Sequence, residues 1–371
     1  MDYDIAIIGA GVAGSYLGSL LRNVLEDKKI VIFEQLERPI IKDSGIVSMN
    51  IEKFIEKSTL RKLIRKKIKR MQLFSPNGKR IVLSTKKPFA YGLKREDFIK
   101  TLRSPIKDMI KYEHVLSVKL RSDCALVTTE NDKYFIRFLV GCDGANSLTR
   151  KAMVERGETK QPTLLYGAFV QQKPTKYVKV YLNKFYSPDF FAWNFFGEYG
   201  LATSYRPRAH LDYFLKKQDV KPKRIFASPI PIGLIKSFTD RCILVGDAAA
   251  QVKPLTGGGI IYSLKAATYA RDVIKKAFSL SRFDSYVLRS YEKKWKEDFG
   301  NEIKRGIQIR KIYRKMTNKQ INEAFDLFKN DVEEAFARQA VKQYDYLSSI
   351  TSSIPKKKIT KFMLKNLSLL R

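Results

Sequence analysis

The chain has 371 residues, 44% of them hydrophobic, and 71 Lys and Arg against 37 Asp and Glu give it a net charge of +34. That length and apolar share suit a folded protein with a large core and more than one domain, not a disordered tract. Three widely spaced cysteines, Cys124, Cys142 and Cys242, and only two histidines, His114 and His210, argue against a disulfide framework, a metal site or a His-based hydrolase.

The chain opens on an apolar strand, Tyr3 to Ile8, followed by Gly9-Ala10-Gly11-Val12-Ala13-Gly14 and a helical run from Ser15 to Leu25. This is G-x-G-x-x-G in its strand–turn–helix setting: Gly9 makes the turn, Gly11 lets a pyrophosphate approach, and Gly14 lets helix pack on strand. A second strand, Lys29 to Phe33, ends in Glu34, 20 positions after Gly14, the spacing of an acid that holds a ribose diol. An acid there disfavours a 2′-phosphate, so the pattern predicts FAD or NAD rather than NADP. Residues 5–21 are glycine-broken and lack a basic lead-in, so they are not a secretory signal. No run reaches the ~20 apolar residues that cross a bilayer. A cytoplasmic protein is expected.

Residues 53–70 are basic with a thin apolar stripe. Phe74 to Ile81, with Pro76-Asn77-Gly78 at its centre, reads as a hairpin. Leu93 to Phe98 opens a helix in which Arg95 is placed to reach a phosphate or ribose; alone, it reads first as a solvated charge. Strands are predicted near 112–120, 124–130 and 133–141. The last ends in Gly141-Cys142-Asp143-Gly144-Ala145-Asn146-Ser147, which in isolation reads as a surface turn. Residues 160–235, rich in Tyr, Phe and Val, supply strands for a second sheet. Within them, strict alternation through Phe190–Phe196 places Phe191, Trp193 and Phe195 on one face and Phe190 and Phe196 on the other. That wall is nearly free of acids and bases.

Cys242 to Val245 is a buried strand by its apolar run, followed by Gly246-Asp247-Ala248-Ala249-Ala250-Gln251-Val252-Lys253-Pro254-Leu255-Thr256-Gly257-Gly258-Gly259 and a helix from Ile260 to Ala277. Asp247 can accept from hydroxyls, the glycine run exposes backbone N–H groups, and the helix adds the positive end of its dipole: a cradle for an anionic ligand such as a reduced flavin. Residues 284–371 read as helices, with breaks near Thr317-Asn318 and Ser348–Pro355. The segment from Pro355 places Ile359, Phe362, Met363, Leu367 and Leu370 at helical spacing among lysines. Such a stripe either docks on its own domain or lies in a lipid interface.

Taken in order, G-x-G-x-x-G, Glu34, R-x-x-F at Arg95, G-C-D-G-A-N-S and G-D-A-A…P-L-T-G-G-G-I resemble the FAD-dependent enzymes built like para-hydroxybenzoate hydroxylase. Within these, the chain is most similar to the geranylgeranyl reductase family of archaea and plants. The Gln251 to Ile260 form, Pro188-Asp189-Phe190-Phe191-Ala192-Trp193-Asn194-Phe195-Phe196, Tyr291 to Trp295 and Gly300 to Ile303 carry that resemblance over nearly the whole chain. One departure stands out: in Lys42-Asp43-Ser44-Gly45, Ser44 occupies the place of the family's usual cysteine, so no thiol role is carried over.

The resemblance implies an α/β fold: a discontinuous Rossmann-type FAD-binding domain over 1–68, 90–150 and 236–283, and an antiparallel β-sheet substrate domain over 69–89 and 151–235. A helical region over 284–371 completes it. It implies FAD contacts at Gly9, Gly11, Ala13, Gly14, Glu34, Ser44, Gly45, Arg95, Val118, Asp143, Asp247, Gly257, Gly258, Gly259 and Ile260, with Phe191, Trp193 and Phe195 lining the substrate slot. The implied activity is saturation of isolated C=C bonds of a polyprenyl chain, hydride coming from reduced FAD and a proton from a group the sequence does not identify. With no second G-x-G-x-x-G, the electron donor is either an acidic ferredoxin or NAD(P)H. An aromatic-ring monooxygenase on the same fold is the main rival. A basic, membrane-associated protein that keeps its flavin without turnover is the rival of another class. The charge fits an anionic membrane surface or an acidic partner; no RNP-like pattern, zinc finger or heptad array supports nucleic acid.

Overall fold

A computed structural model describes residues 1–40, 44–222, 224–346 and 352–369. The chain runs β1 (Tyr3–Ile8), α1 (Val12–Arg22), β2 (Ile30–Glu34), β3 (Ile46–Ser48), α2 (Lys57–Leu63), β4 (Ile64–Ile68), β5 (Arg70–Phe74), β6 (Arg80–Ser84), β7 (Ala90–Leu93) and α3 (Arg95–Arg103). It continues through β8 (Ile110–Tyr112), β9 (Val115–Leu120), β10 (Ala125–Thr129), β11 (Lys133–Gly141), α4 (Leu148–Glu155), β12 (Thr163–Gln171), β13 (Val178–Tyr181), β14 (Ala192–Phe195) and β15 (Glu198–Thr203). Then follow α5 (Pro207–Lys217), β16 (Ile225–Ile232), β17 (Phe238–Thr239), β18 (Cys242–Leu244), α6 (Ile260–Ser279), α7 (Ser285–Trp295), α8 (Asn301–Lys315), α9 (Asn318–Gln343) and α10 (Lys356–Lys365).

The first sheet has the order β17-β18-β11-β1-β2-β8, with β10 and β9 added antiparallel beside β11. From β18 to β8 the pairs are parallel. Both faces of a parallel sheet are covered, which is why Ile5, Ala6, Ile7, Phe138, Leu139 and Val140 read as continuous apolar runs and are fully buried. On one face α1 buries Ala13, Gly14, Leu17, Gly18 and Leu21, a helical stripe that packs on α6. Each fully buried leucine contributes roughly 1.5–3 kcal/mol.

The second sheet, β16-β12-β15-β14-β13-β5-β6, is antiparallel except where β13 meets β5. The predicted hairpin is β5–β6, paired Phe74 to Arg80 and closed by a turn with Gly78 at a φ of 85°. A small third sheet, β3-β7-β4, lies between them in sequence. The basic stretch 53–70 divides there: the α2 helix ends at Leu63 and the chain continues directly as strand β4.

The C-terminal helices do not stand apart. The break at Thr317 is a capping box: the Thr317 hydroxyl accepts from the Gln320 backbone while the Gln320 side chain accepts from the Thr317 N–H. Helix α9 packs on β6 through Phe325, Phe336 and Ala340. In α10, Phe362 is buried against Phe328 with ring centroids 5.7 Å apart, whereas Ile359 and Leu367 of the predicted stripe are exposed. Among the described residues of the stripe, Phe362 is buried and Met363 half-buried. Leu370, Lys42, Asp43 and the first half of the predicted break, 348–351, lie outside the described residues.

Candidate flavin site

One cavity of about 1070 Å³ runs from the β1–α1 turn, past the Gly257–Gly259 run, to the aromatic wall of the second sheet. At its first end, Gly14 lies so close to the preceding strand that a Cβ would stand 1.9 Å from the Gly9 carbonyl oxygen. Gly11 is the opposite case: a Cβ there would meet nothing within 4 Å and would project into the cavity, the space a pyrophosphate needs. Helix α1 begins at that point with no side-chain cap and no acid in its first turn, so its N-terminal N–H groups face an anion site.

Glu34 is held rigidly. Its Oε2 accepts from the Ala10 N–H and from Arg103 Nη2, each at 2.9 Å, and its Oε1 accepts from the Leu36 N–H at 3.1 Å. A carboxylate accepts roughly four hydrogen bonds, so these three leave room for a ribose hydroxyl. Arg103 also donates to the carbonyls of Ala10, Leu36 and Glu37, and is buried. Arg95, Ile99 and Arg103 line the cavity from one face of α3, spaced by one turn each. The stem of Arg95 packs against Gly45, where a Cβ would stand 2.4 Å from Cδ at a φ of 68°. Ser44 lines the cavity beside it.

Asp143 also lines the cavity, and its carboxylate organises its own loop. It accepts from the Ser147 hydroxyl at 2.6 Å and from the Thr149 N–H at 2.9 Å, at the start of α4. Burial raises its pKa against those hydrogen bonds. Buried Arg150 then joins this loop to the next motif, donating to the Ala145 carbonyl and, at 2.9 Å, to the Ala248 carbonyl. Burial pushes the cavity-lining Cys142 thiol well above its ordinary value, which leaves it unreactive. All three cysteines are buried and free.

The loop from Gly246 to Gly259 is braced from outside itself. Gln251 is fully buried and does not line the cavity; its Oε1 accepts from the Gly246 N–H at 2.7 Å and its Nε2 donates to the Tyr291 hydroxyl at 3.0 Å. Asp247 lies over the start of α6, with Oδ1 3.0 Å from where a Gly259 Cβ would be. Gly257 adopts a φ of 72°, and α6 starts at Ile260 with no side-chain cap and no acid in its first turn. Two uncapped helix N-termini therefore face the same cavity. Lys253 pairs with Asp345 at 2.9 Å, and Asp345 also accepts from Asn50 at 2.9 Å and from the Ser48 hydroxyl. Burial opposes the charge of Asp345, but Lys253, Asn50 and Ser48 overcome it and hold the carboxyl below its ordinary value.

Phe191, Trp193 and Phe195 line the cavity together, and so does Phe190, contrary to the alternation expected of them. Strand β14 begins only at Ala192. Before it, the Phe190 N–H donates to the Ser187 hydroxyl and Asp189 is anchored by Thr203, Ser204 and Arg310, so the strand period does not reach Phe190. Phe190 stacks on Phe191 with centroids 4.2 Å apart, and Trp193 stacks on Phe195 at 5.6 Å. Phe196 turns away at a φ of 56° toward Gly92. The wall is also less neutral than its sequence suggests: Glu198 lines it, accepting from Trp193 Nε1 at 3.0 Å.

Two predicted contacts do not line the cavity: Gly14, which packs on Gly9 and Cys142, and Val118. Val118 is buried in the core beneath the first sheet, and Val115 lines the cavity instead. A bulge opposite Thr128 and Thr129 turns both valines inward despite their odd spacing. His114 is exposed at the cavity edge, while His210 bonds the Phe185 carbonyl. Arg103 could have been found from its turn spacing to Arg95; Asp345 carried no local signal.

No family model matches the chain. Over 358 residues it is 26% identical to an uncharacterized protein of Methanocaldococcus jannaschii, covering 89% of each chain. The solved structure of a geranylgeranyl bacteriochlorophyll reductase-like protein from Thermoplasma acidophilum superposes with a TM-score of 0.81 at 18% identity, covering 99% of both chains. A flavin-dependent brominase follows the same path with a TM-score of 0.68 at 12% identity over 95% of this chain and 98% of its own. The fold is that of the flavin-dependent oxidoreductases built like para-hydroxybenzoate hydroxylase. In sequence, the chain is similar to digeranylgeranylglycerophospholipid reductases: 25% identical over 351 residues to that of M. jannaschii, covering 86% of this chain and 89% of the relative. The figure for Methanococcus vannielii is 26% over 367 residues, 90% and 92% of the two chains.

Proposed function

We propose that this protein is an FAD-dependent reductase that saturates C=C bonds of geranylgeranyl or related polyprenyl chains, with a membrane ether lipid as the leading substrate. One observation carries the reading: a single cavity joins a dinucleotide turn to a slot walled by stacked aromatic and aliphatic side chains. The named relatives and the shared fold support it. Reduced FAD, when bound, would supply a hydride for one alkene carbon, and the other carbon would take a proton. The protein supplies the rest. Helix α1 and the Gly9–Gly14 turn take the pyrophosphate, Glu34 a ribose hydroxyl, and the Gly257–Gly259 run with α6 the negative end of the ring system. Phe191, Trp193 and Phe195 exclude water and present ring faces to positive charge that develops on an unpolarised alkene.

Substrate and electrons reach the site across a basic surface. Residues 57–94 carry thirteen Lys and Arg and no Asp or Glu. Arg61, Lys62, Arg65, Lys66, Lys67, Lys69 and Arg70 are all exposed, and Met71 and Leu73 of the adjoining strand line the cavity. This surface suits an anionic membrane at which a prenyl lipid enters, with an acidic ferredoxin or NAD(P)H as electron donor. No helix among the described residues is long and apolar enough to cross a membrane.

The test is anaerobic incubation of the dithionite-reduced protein with a geranylgeranyl lipid, followed by mass spectrometry. A gain of two hydrogens per double bond is expected. Flavin that reoxidises only on admitting oxygen, with no reduced lipid, would sink the proposal.

A further inference from the structure

We propose that Lys253 sets the charge at the ring end of the flavin site and that Asp345 aims it there; the inference rests on FAD occupying this cavity. Lys253 is built into the glycine loop. Its N–H donates to the Gly258 carbonyl at 3.1 Å, and its own carbonyl accepts from the Gly257 N–H at 2.9 Å, so the loop closes on this residue. Its side chain runs along the glycine run: Cε and Nζ lie 3.1 and 3.5 Å from where a Gly258 Cβ would stand. Nζ is also 5.2 Å from the centre of the Tyr344 ring.

The order of the charges matters. Lys253 and Tyr344 line the cavity and Asp345 does not, so the lysine lies between the site and the buried carboxylate that pairs with its ammonium. The Asp345 side chain is fully buried, and its other oxygen is taken by Ser48 and Asn50 from the β3 side of the cavity. With both oxygens fixed, the carboxylate cannot swing into the site, and Lys253 cannot leave its place along the glycines without stranding a buried charge. The pair is an oriented dipole whose positive end adds to that of α6, and Asp247, whose Oδ1 lies 3.0 Å from where a Gly259 Cβ would be, is the acid of the same loop. A cation there favours the two-electron-reduced, anionic flavin over the neutral oxidised form. In this role Lys253 tunes the cofactor and Asp345 is a positioning residue.

The sign of the effect separates this role from a plain structural latch. The midpoint potential of the FAD-loaded protein is measured anaerobically against a reference dye. Lys253→Met removes the cation and shifts the potential negative. Asp345→Asn keeps the shape but removes the anion behind the cation, and shifts it positive. Lys253→Arg retains the wild-type value. Shifts of the same sign, or none, in the Met and Asn variants overturn the inference, as does an arginine variant that behaves like methionine. If Asp345→Asn does not fold, the contrast between Lys253→Met and Lys253→Arg decides alone. A wild-type protein that binds no flavin fails earlier, by its absorbance spectrum, and overturns the cofactor reading together with this one.

Discussion

The two ends of the cavity are built differently. At the pyrophosphate end, β1, α1 and β2 are consecutive, and the decisive contacts are backbone packing at Gly14 and the Ala10 N–H to Glu34 bond, 24 positions apart. At the ring end, the loop between β18 and α6 depends on Tyr291, 40 positions after Gln251, and on Asp345, 92 positions after Lys253. The first end is a supersecondary unit whose main outside brace is Arg103 of α3. The second is assembled late, from parts of the whole chain. A local end tolerates changes elsewhere; an assembled end transmits them.

The largest effect should come from the assembled end. Asp345→Ala leaves the Lys253 ammonium without its partner in a buried setting and is expected to cost about 3–5 kcal/mol by urea unfolding. The depressed pKa of Asp345 adds a pH signature. Its contribution is present above the unfolded carboxylate value near ~3.9 and is lost as pH falls through the lower folded value, so wild type and variant should converge in acid. A constant gap down to low pH would remove the ion pair from the account.

At the local end, Gly14→Ala forces a methyl group onto the Gly9 carbonyl and should cost roughly 1–3 kcal/mol with loss of bound FAD, read by thermal melting and flavin absorbance. Arg103→Met comes next: it strips a donor from Glu34 and from three carbonyls, and about 1–3 kcal/mol is expected, with weaker FAD binding. Full FAD affinity in that variant would mean that Glu34 is positioned without it. The smallest effect should be Leu364→Ser on the exposed side of α10, within about 0.5 kcal/mol by melting. If it also loses binding to anionic vesicles, that exposed side, and not the docked one, meets the membrane.

Legibility from sequence follows the same division. The G-x-G-x-x-G turn, the spacing to Glu34 and the glycine run before α6 were readable because each is a short-range rule about backbone and dipoles. The aromatic wall was readable from Phe191 through Phe195, in β14 and the residue before it. Phe190 escaped the alternation because the Asp189 network holds the preceding residues out of the strand, and Val118, expected from the resemblance, turns into the core beside a bulge. Arg103 left a faint trace in its turn spacing. Glu198 lay just beyond the aromatic segment and acquires its place only through the bond to Trp193. Nothing near Asp345 announced it, since its partners are fixed by the tertiary fold.

The bond from Ser48 to Asp345 spans 297 positions, which gives it a consequence in time as well as space. At roughly 5–20 residues per second of synthesis, about 15–60 s separate the making of the two residues. The first strands and α1 are out of the ribosome while the brace of the ring end does not yet exist. A nascent chain can therefore form its glycine turn early but completes the Gly246–Gly259 end of the cavity only once Asp345, after α9, has emerged.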